Sequence, residues 1–267
     1  KNVFEALDCL DEPYGDPSVV PSYLLSKAIS KKFKVAISGD GGDELLGGYK
    51  RINSVLSNSP NIYSGLYRLY PAFLGTGNKF LRNSKDVNLA YSSYFKDEKY
   101  LKLLGLKPEN IVNKINLNSN VDLYKSLLIQ DYKYYLPEMM MLKVDRTSMA
   151  NSLEVRSPFV DHKLIEYIMS LNLNNVKLKN KNVLKDYLKT DFSEDFVTRD
   201  KKGFIFNLEG WIYSNFEEVD QVIKSKKGFD LDIKKIDLLK INKSRINANR
   251  TWRLYVLNKY LLDIDNL

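Results

Sequence analysis

One short apolar, β-branched run, FKVAIS (33–38), empties directly into GDGGDELLGGY (39–49), and this junction constrains the fold more than any other stretch of the chain. A brief apolar run that breaks on glycines and resumes as a second apolar run reads as a buried strand ending in a loop, the strand–loop–helix unit of an α/β sheet. In such sheets ligands bind where strand C-termini meet loops. Five of the chain's 13 glycines fall between residues 39 and 48, interleaved with the carboxylates of Asp40, Asp43 and Glu44. Glycines bare backbone N–H groups that invite phosphate, whereas carboxylates repel it. A cation between the two reconciles them. Mg²⁺ fits, because it takes one or two carboxylates together with phosphate oxygens and water. On this reading Ser38, Gly39, Gly41 and Gly42 cradle a nucleotide phosphate or hydroxyl, and Asp43 and Glu44 hold the metal.

Other phosphate and metal patterns fit worse. Gly42 and Gly47 have P-loop spacing, but Gly48 stands where that motif needs Lys. Gly39 and Gly41 begin a dinucleotide fingerprint, but Glu44 takes its third glycine position. Gly41 and Gly42 leave a calcium loop short of oxygen ligands. A purely structural reading stays open: a tight turn followed by a helix N-terminus that favours acids.

The strand raises a second question. A lone strand cannot satisfy its own backbone groups, and the rest of the chain offers few candidate partners. Either further strands are hidden, or partners lie in sequence preceding Lys1. The remaining pattern is mostly helical. Asp16 and Pro17 suit a helix start, with Val20, Leu24 and Ala28 on one apolar face beside Leu25 and Ile29, and Pro21 is tolerable only in the first turn. Residues 121–150 form the strongest helical region, interrupted or entered at Pro137. Leu164, Ile165 and Ile168 mark another helix, as do Val183, Leu184, Tyr187 and Leu188. A final helix puts Trp252, Tyr255 and Val256 on one face, and the lysine-rich stretch 227–244 reads as surface. The expected fold class is therefore α/β but predominantly helical, with few strands.

Bulk properties exclude some function classes. No run approaches 18 apolar residues, and residues 1–15 lack the apolar core of a signal peptide. Cys9 is the only cysteine, so the chain has no internal disulfide or cysteine metal cluster, and a reducing, cytoplasmic setting is expected. The net charge of +8 comes mostly from lysines spread along the sequence rather than from a basic stripe interleaved with aromatics. That distribution argues against a nucleic-acid interface.

Two further stretches carry charge in a pattern. LPEMMMLKVDRTSMANSLEVRSPFVDH (136–162) brings Lys143, Asp145, Arg146, Glu154, Arg156 and Asp161 close together on what reads as an apolar helix. A buried ion-pair network holding helices in register is the plain alternative to a site. RDKKGF (199–204), followed by Trp211, suggests a basic loop able to close on an anion.

Together the three stretches resemble the synthetase domain of glutamine-dependent asparagine synthetases. That family's pattern runs SGDGGDE-x-x-GGY, then LP…KVDR-x-SMA…E-x-R-x-PF-x-D, then R-x-K-x-GF and a Trp, in the order found here; DEPYGDPSVVPSYLLSK (11–27) also fits. The resemblance spans nearly the whole chain. It implies the C-terminal portion of an adenine nucleotide alpha hydrolase-like (ATP pyrophosphatase) domain, residues 1–267. The family's upstream SGGxDS strand-loop and Cys-led glutaminase domain are not among these residues.

The implied chemistry is Mg²⁺- and ATP-dependent adenylation of the aspartate side chain, then attack of ammonia on β-aspartyl-AMP. Asparagine, AMP and pyrophosphate are the products. Carried over by motif, Asp40 serves the acyl-adenylate and incoming amine, Lys201 neutralises the phosphates, Ser38, Gly39, Gly41 and Gly42 bind ATP, and Asp43 and Glu44 hold Mg²⁺. Lys143, Arg156 and Arg199 line the pocket for substrate carboxylate or pyrophosphate. The implied partners are aspartate, ATP, ammonia from glutamine and the glutaminase domain of the same polypeptide, with neither nucleic acid nor membrane. Asn207 stands where the family usually has Pro. These residues alone are expected to be inactive. Two alternatives remain: a related amidotransferase acting on a sugar acid or peptide carboxylate, and a non-catalytic nucleotide-binding relative.

Overall fold

Asp16 opens the first long helix as its position predicts. Its carboxylate accepts from the Ser18 N–H at 2.9 Å and from Ser18 Oγ at 2.8 Å. The helix proper, α2, runs Val19–Ile29 after a short α1, Asn2–Asp8, so Pro21 lies in the first turn, where its missing N–H costs nothing. The structure, a computed structural model, describes residues 2–105, 117, 120–173, 179–199, 203–225 and 244–265. The buried side of α2 differs from the expected one. Val19, Val20, Tyr23 and Ser26 turn inward against α1 and the helix Leu142–Met149, while Leu24 and Leu25 stay exposed.

Strand β1 is Val35–Ile37, and it does not stand alone. It pairs in parallel with β2, Glu154–Arg156, in the register Val35–Glu154, Ala36–Val155, Ile37–Arg156. The expectation of a buried strand is corrected here. Val35 is 43 % and Ile37 79 % exposed, because two short strands make up the whole sheet among the described residues and the face that carries these two side chains is uncovered, while Ala36 and Val155 on the other are partly buried.

Helices carry the chain between the strands. They are α3 (Gly42–Leu46), α4 (Lys50–Leu56), α5 (Asn78–Leu81), α6 (Val87–Ser92) and α7 (Glu98–Leu103), with 3₁₀ turns at Ile62–Leu69 and Ala72–Leu74. One continuous helical stretch then joins α8 (Leu123–Gln130), a π-helical segment (Asp131–Met141) and α9 (Leu142–Met149). The wider π turn accommodates Pro137, whose carbonyl accepts from the Leu142 N–H. After β2 come α10 (His162–Ser170), α11 (Asn182–Leu188), α12 (Glu194–Thr198), α13 (Leu208–Ser214), α14 (Phe216–Lys224) and α15 (Arg245–Asp265). The expected helices at 164–168 and 183–188 are present. The lysine-rich stretch 227–244 lies outside the described residues but for Ser244. No helix among the described residues is long and apolar enough to cross a membrane.

Two apolar cores hold these elements. One gathers α1, α2, α13 and α14 around α15, with Trp252, Tyr255 and Val256 buried on the face the sequence marks out. Trp211 meets Trp252 edge-on at 5.7 Å. Asn207, in place of the family's proline, caps α13 by accepting from the Gly210 N–H at 3.1 Å. The second core packs Leu45 and Leu46 of α3 and Ile52 of α4 against Tyr124, Leu127 and Leu128 of α8, and so fixes the segment that follows β1.

Candidate functional site

The backbone leaves β1 with Ser38, whose N–H donates to the Arg156 carbonyl at 2.9 Å. Its hydroxyl lies 2.7 Å from that of Ser157, just past the end of β2. Both strands thus end at the same place, and the glycine-rich turn springs from it.

The glycines of the turn are not equivalent. Gly41 has φ +87°, and a Cβ there would lie 2.8 Å from Val160 Cγ1. Gly47 has φ +65°, and a Cβ would fall 2.3 Å from the Tyr124 hydroxyl. At Gly48 a Cβ would collide with Asp43 Oδ1. Folding alone demands these three residues. Gly39 is different: its φ lies outside the left-handed range, it is exposed, and a Cβ would meet nothing within 4 Å.

The adjacent acids Asp43 and Glu44 part company. Asp43 is only partly buried, with the Lys181 ammonium 2.8 Å from its Oδ1. Lys181 and its neighbour Asn180 both hold φ +60° to make that approach, an unusual conformation for residues other than glycine. Glu44 points inward and is 1 % exposed, accepting from the Tyr49 hydroxyl at 2.6 Å. Burial pushes its carboxyl above the usual carboxylate range, against the opposing pull of that hydrogen bond.

Beneath the turn, the Arg51 guanidinium stacks 3.8 Å over the Tyr49 ring and 4.3 Å over Tyr135. It donates to one oxygen of Asp131 at 2.8 and 3.3 Å, and Tyr91 donates to the same oxygen. Asp131 is fully buried. Burial raises its carboxyl too, with Arg51 and Tyr91 pulling the other way.

The structure brings Ser38, Gly39, Asp40, Gly41, Gly42 and Asp43 into one turn, with the Arg156 main chain against Ser38 and the Glu44 side chain turned inward. The charged residues of 136–162 do not form a single helical network, because the helix ends at Met149 and the segment then turns into β2. Lys143, 5 % exposed, donates to Ser18 Oγ at 3.0 Å and lies 3.9 Å from the Asp16 carboxylate. Arg146 pairs with Asp11 at 2.7 Å, and Asp161 caps α10. The Arg156 side chain is exposed beside Glu154 at 2.8 Å, while its main chain holds Ser38. Arg199 stacks 4.2 Å over Phe196. Lys201 lies outside the described residues.

The sequence reading passed over Ser157, Lys181 and the Tyr49–Arg51–Asp131 cluster. Ser157 had a signal, since it sits inside the RSPF motif; Lys181 is one of several lysines in its region and had none. No group of three or more His, Cys, Asp or Glu side chains suited to a metal occurs among the described residues.

Comparison with known proteins adds a family. The asparagine synthase family model matches residues 1–240. The glutamine-hydrolysing asparagine synthetase 1 of Bacillus subtilis is 25 % identical, over 92 % of this chain and 43 % of its own length. A putative glutamine-hydrolysing asparagine synthetase of Mycobacterium tuberculosis is 27 % identical, over 76 % of this chain and 34 % of its own. A second putative one, from Methanocaldococcus jannaschii, is 30 % identical, over 47 % of this chain and 24 % of its own. The chain spans less than half the length of these curated relatives.

Proposed function

The chain belongs to the asparagine synthase family, and on that premise we propose that it is the carboxylate-activating part of a glutamine-dependent ligase. The reaction is adenylation of the aspartate side chain by ATP, release of pyrophosphate, and capture of β-aspartyl-AMP by ammonia. The observation that carries this reading is Gly39. It is exposed, needs no left-handed φ and has open space where a side chain would project. Folding does not require glycine there, whereas the close approach of a nucleotide does.

The roles follow from position. Ser38 and Gly39 contact ATP, and Gly41 and Gly42 shape the turn that presents them. Asp40, half-buried on the same turn, accepts a proton on its carboxylate from the attacking amine. The turn fits a magnesium ion bound chiefly through phosphate oxygens and water, because it offers one partly exposed carboxylate, Asp43, rather than a full ligand cage. Bound Mg²⁺ would screen the polyphosphate and favour pyrophosphate as a leaving group. Glu44, committed to Tyr49, supports the turn from below. Lys201 and Arg199, in the basic loop, and Arg156, beside the turn, supply fixed cations for the negative charge that grows on the departing pyrophosphate. Lys143, held by Ser18 and Asp16, keeps a place in the aspartate pocket.

The exposed faces of Val35 and Ile37, with the greater length of the relatives, support a larger sheet of the ATP pyrophosphatase type. Its other strands, the SGGxDS loop and a glutaminase domain belong to the rest of the polypeptide. A single cysteine, Cys9, suits a cytoplasmic enzyme.

The test is aspartate-dependent pyrophosphate release by the full-length protein supplied with ammonia, ATP and Mg²⁺. Lys201→Ala is expected to lower the rate by about 10²–10³-fold, the usual loss of one preorganised charge-stabilising group. Pyrophosphate release that ignores aspartate, or a near-normal Lys201→Ala rate, overturns the assignment.

A further inference from the structure

A cavity of about 1030 Å³ shares none of residues 38–48 with the glycine turn but borders it through Asp16, Tyr49 and Arg51. Its walls come from the start of α4, the end of α5, the segment around Tyr94, the π-helical segment and α15. Some of the cations lining it are already matched. Arg51 is paired with Asp131, Lys96 lies 3.8 Å from Glu98, and Arg250 holds Asp97 through Nε at 2.9 Å and Nη2 at 3.1 Å. Among the acids of the cleft, Asp97 is thereby used, and Asp16 serves Ser18 and Lys143. Glu138 is an exposed acid of the same lining.

Three further cations, Lys50, Arg82 and Arg253, line the same cleft without an ion-pair partner among the described residues. Arg82 is the most telling. Its guanidinium stacks 4.1 Å over the Tyr94 ring, and its Nε is buried with no acceptor among the described residues. Guanidinium groups favour carboxylate and phosphate oxygens. Tyrosines 94, 134 and 135 give the same cleft flat, largely apolar walls. The family match ends at residue 240, before the helix that contributes Arg250 and Arg253.

We propose that this cleft is a second ligand site, for a small organic anion whose carboxylate or phosphate head binds Arg82 and whose planar or apolar body lies on the tyrosine wall. Lys50 and Arg253 raise the potential over the cleft and draw the anion in.

Two probes separate the two possible heads on one body: phenyl phosphate and benzoate, titrated into the protein by ligand-observed NMR at low salt. Binding of at least one is expected, and which one binds identifies the head. Arg82→Gln should weaken it about tenfold. Arg253→Gln, at an exposed position, should weaken it about twofold and reduce its salt dependence; it decides the matter should Arg82→Gln fail to fold. Lys181→Met, at the glycine turn, should leave binding unchanged. The proposal is overturned if neither probe binds, if the arginine variants bind as wild type does, or if Lys181→Met is the variant that abolishes binding.

Discussion

The turn at residues 38–43 and the cluster beneath it, from Glu44 to Asp131, draw on the same residue types for opposite ends. In the turn, charge lies at the surface: Asp40 is half-buried and Asp43 shares a partly exposed ion pair with Lys181. In the cluster, two carboxylates and a guanidinium are enclosed by Tyr49, Tyr91 and Tyr135. Buried charge held in an ion pair, as Asp131 is by Arg51, serves packing and register, whereas the ion pair of the turn lies closer to solvent. Asp43 and Glu44 are adjacent in sequence, and the α3 backbone alone sorts them into the two regions.

The sharpest way to break this comparison is Asp131→Ala. It strands the Arg51 guanidinium in the interior and removes the acceptor of Tyr91. Loss of one partner of a buried pair typically costs about 3–5 kcal/mol, and urea unfolding of the variant should show a loss of that size. A cost near that of a surface pair, about 0–1 kcal/mol, would place the cluster in the same class as the turn.

The glycines offer a second, smaller contrast. Gly47→Ala combines a left-handed φ with a collision against the Tyr124 hydroxyl and should cost roughly 1–3 kcal/mol. Gly39→Ala meets no atom, so its unfolding free energy should stay within about 0.5 kcal/mol of wild type while nucleotide affinity falls. Equal destabilisation by both would mean that Gly39, too, is there for folding.

The smallest effect separates Glu44 from its neighbour by pH. Its carboxyl is raised in the folded state, mainly by burial. The stability it contributes is therefore fully present below the ordinary value of 4.5 and is lost as pH rises through the folded value. Glu44→Gln removes that loss. The unfolding free energy of the variant minus that of wild type should climb with pH above about 4.5 and then level off. Asp131 is present in both proteins and cancels in the difference. A flat difference would place Glu44 in a solvent-like setting.

Much of this arrangement is legible in the sequence because it is local. Asp16 before Pro17, the glycines after FKVAIS, and the spacing of Trp252, Tyr255 and Val256 each act within a turn or two, and each appears where its pattern points. What escapes is non-local. Strand β2 is only Glu-Val-Arg, with a charge on either side of its valine and too short for an alternating pattern, and it becomes a strand by lying against β1. The exposure of β1 escapes for a related reason, since an apolar run predicts burial only if another layer covers it. The outward turn of Leu24 and Leu25 reflects which side of α2 meets α1 and α9, which helical spacing does not specify. Lys181 reaches Asp43 through two left-handed residues that carry no glycine to announce them.

The hydroxyls of Ser38 and Ser157 meet across 119 residues of chain. Contacts so remote in sequence close late, because the loop entropy must be overcome before they form. On the ribosome the glycine turn emerges long before the segment that anchors it. On the proposed function, a nascent chain cannot engage nucleotide until β2 has left the exit tunnel and docked, and acquisition of binding would time-stamp completion of the fold.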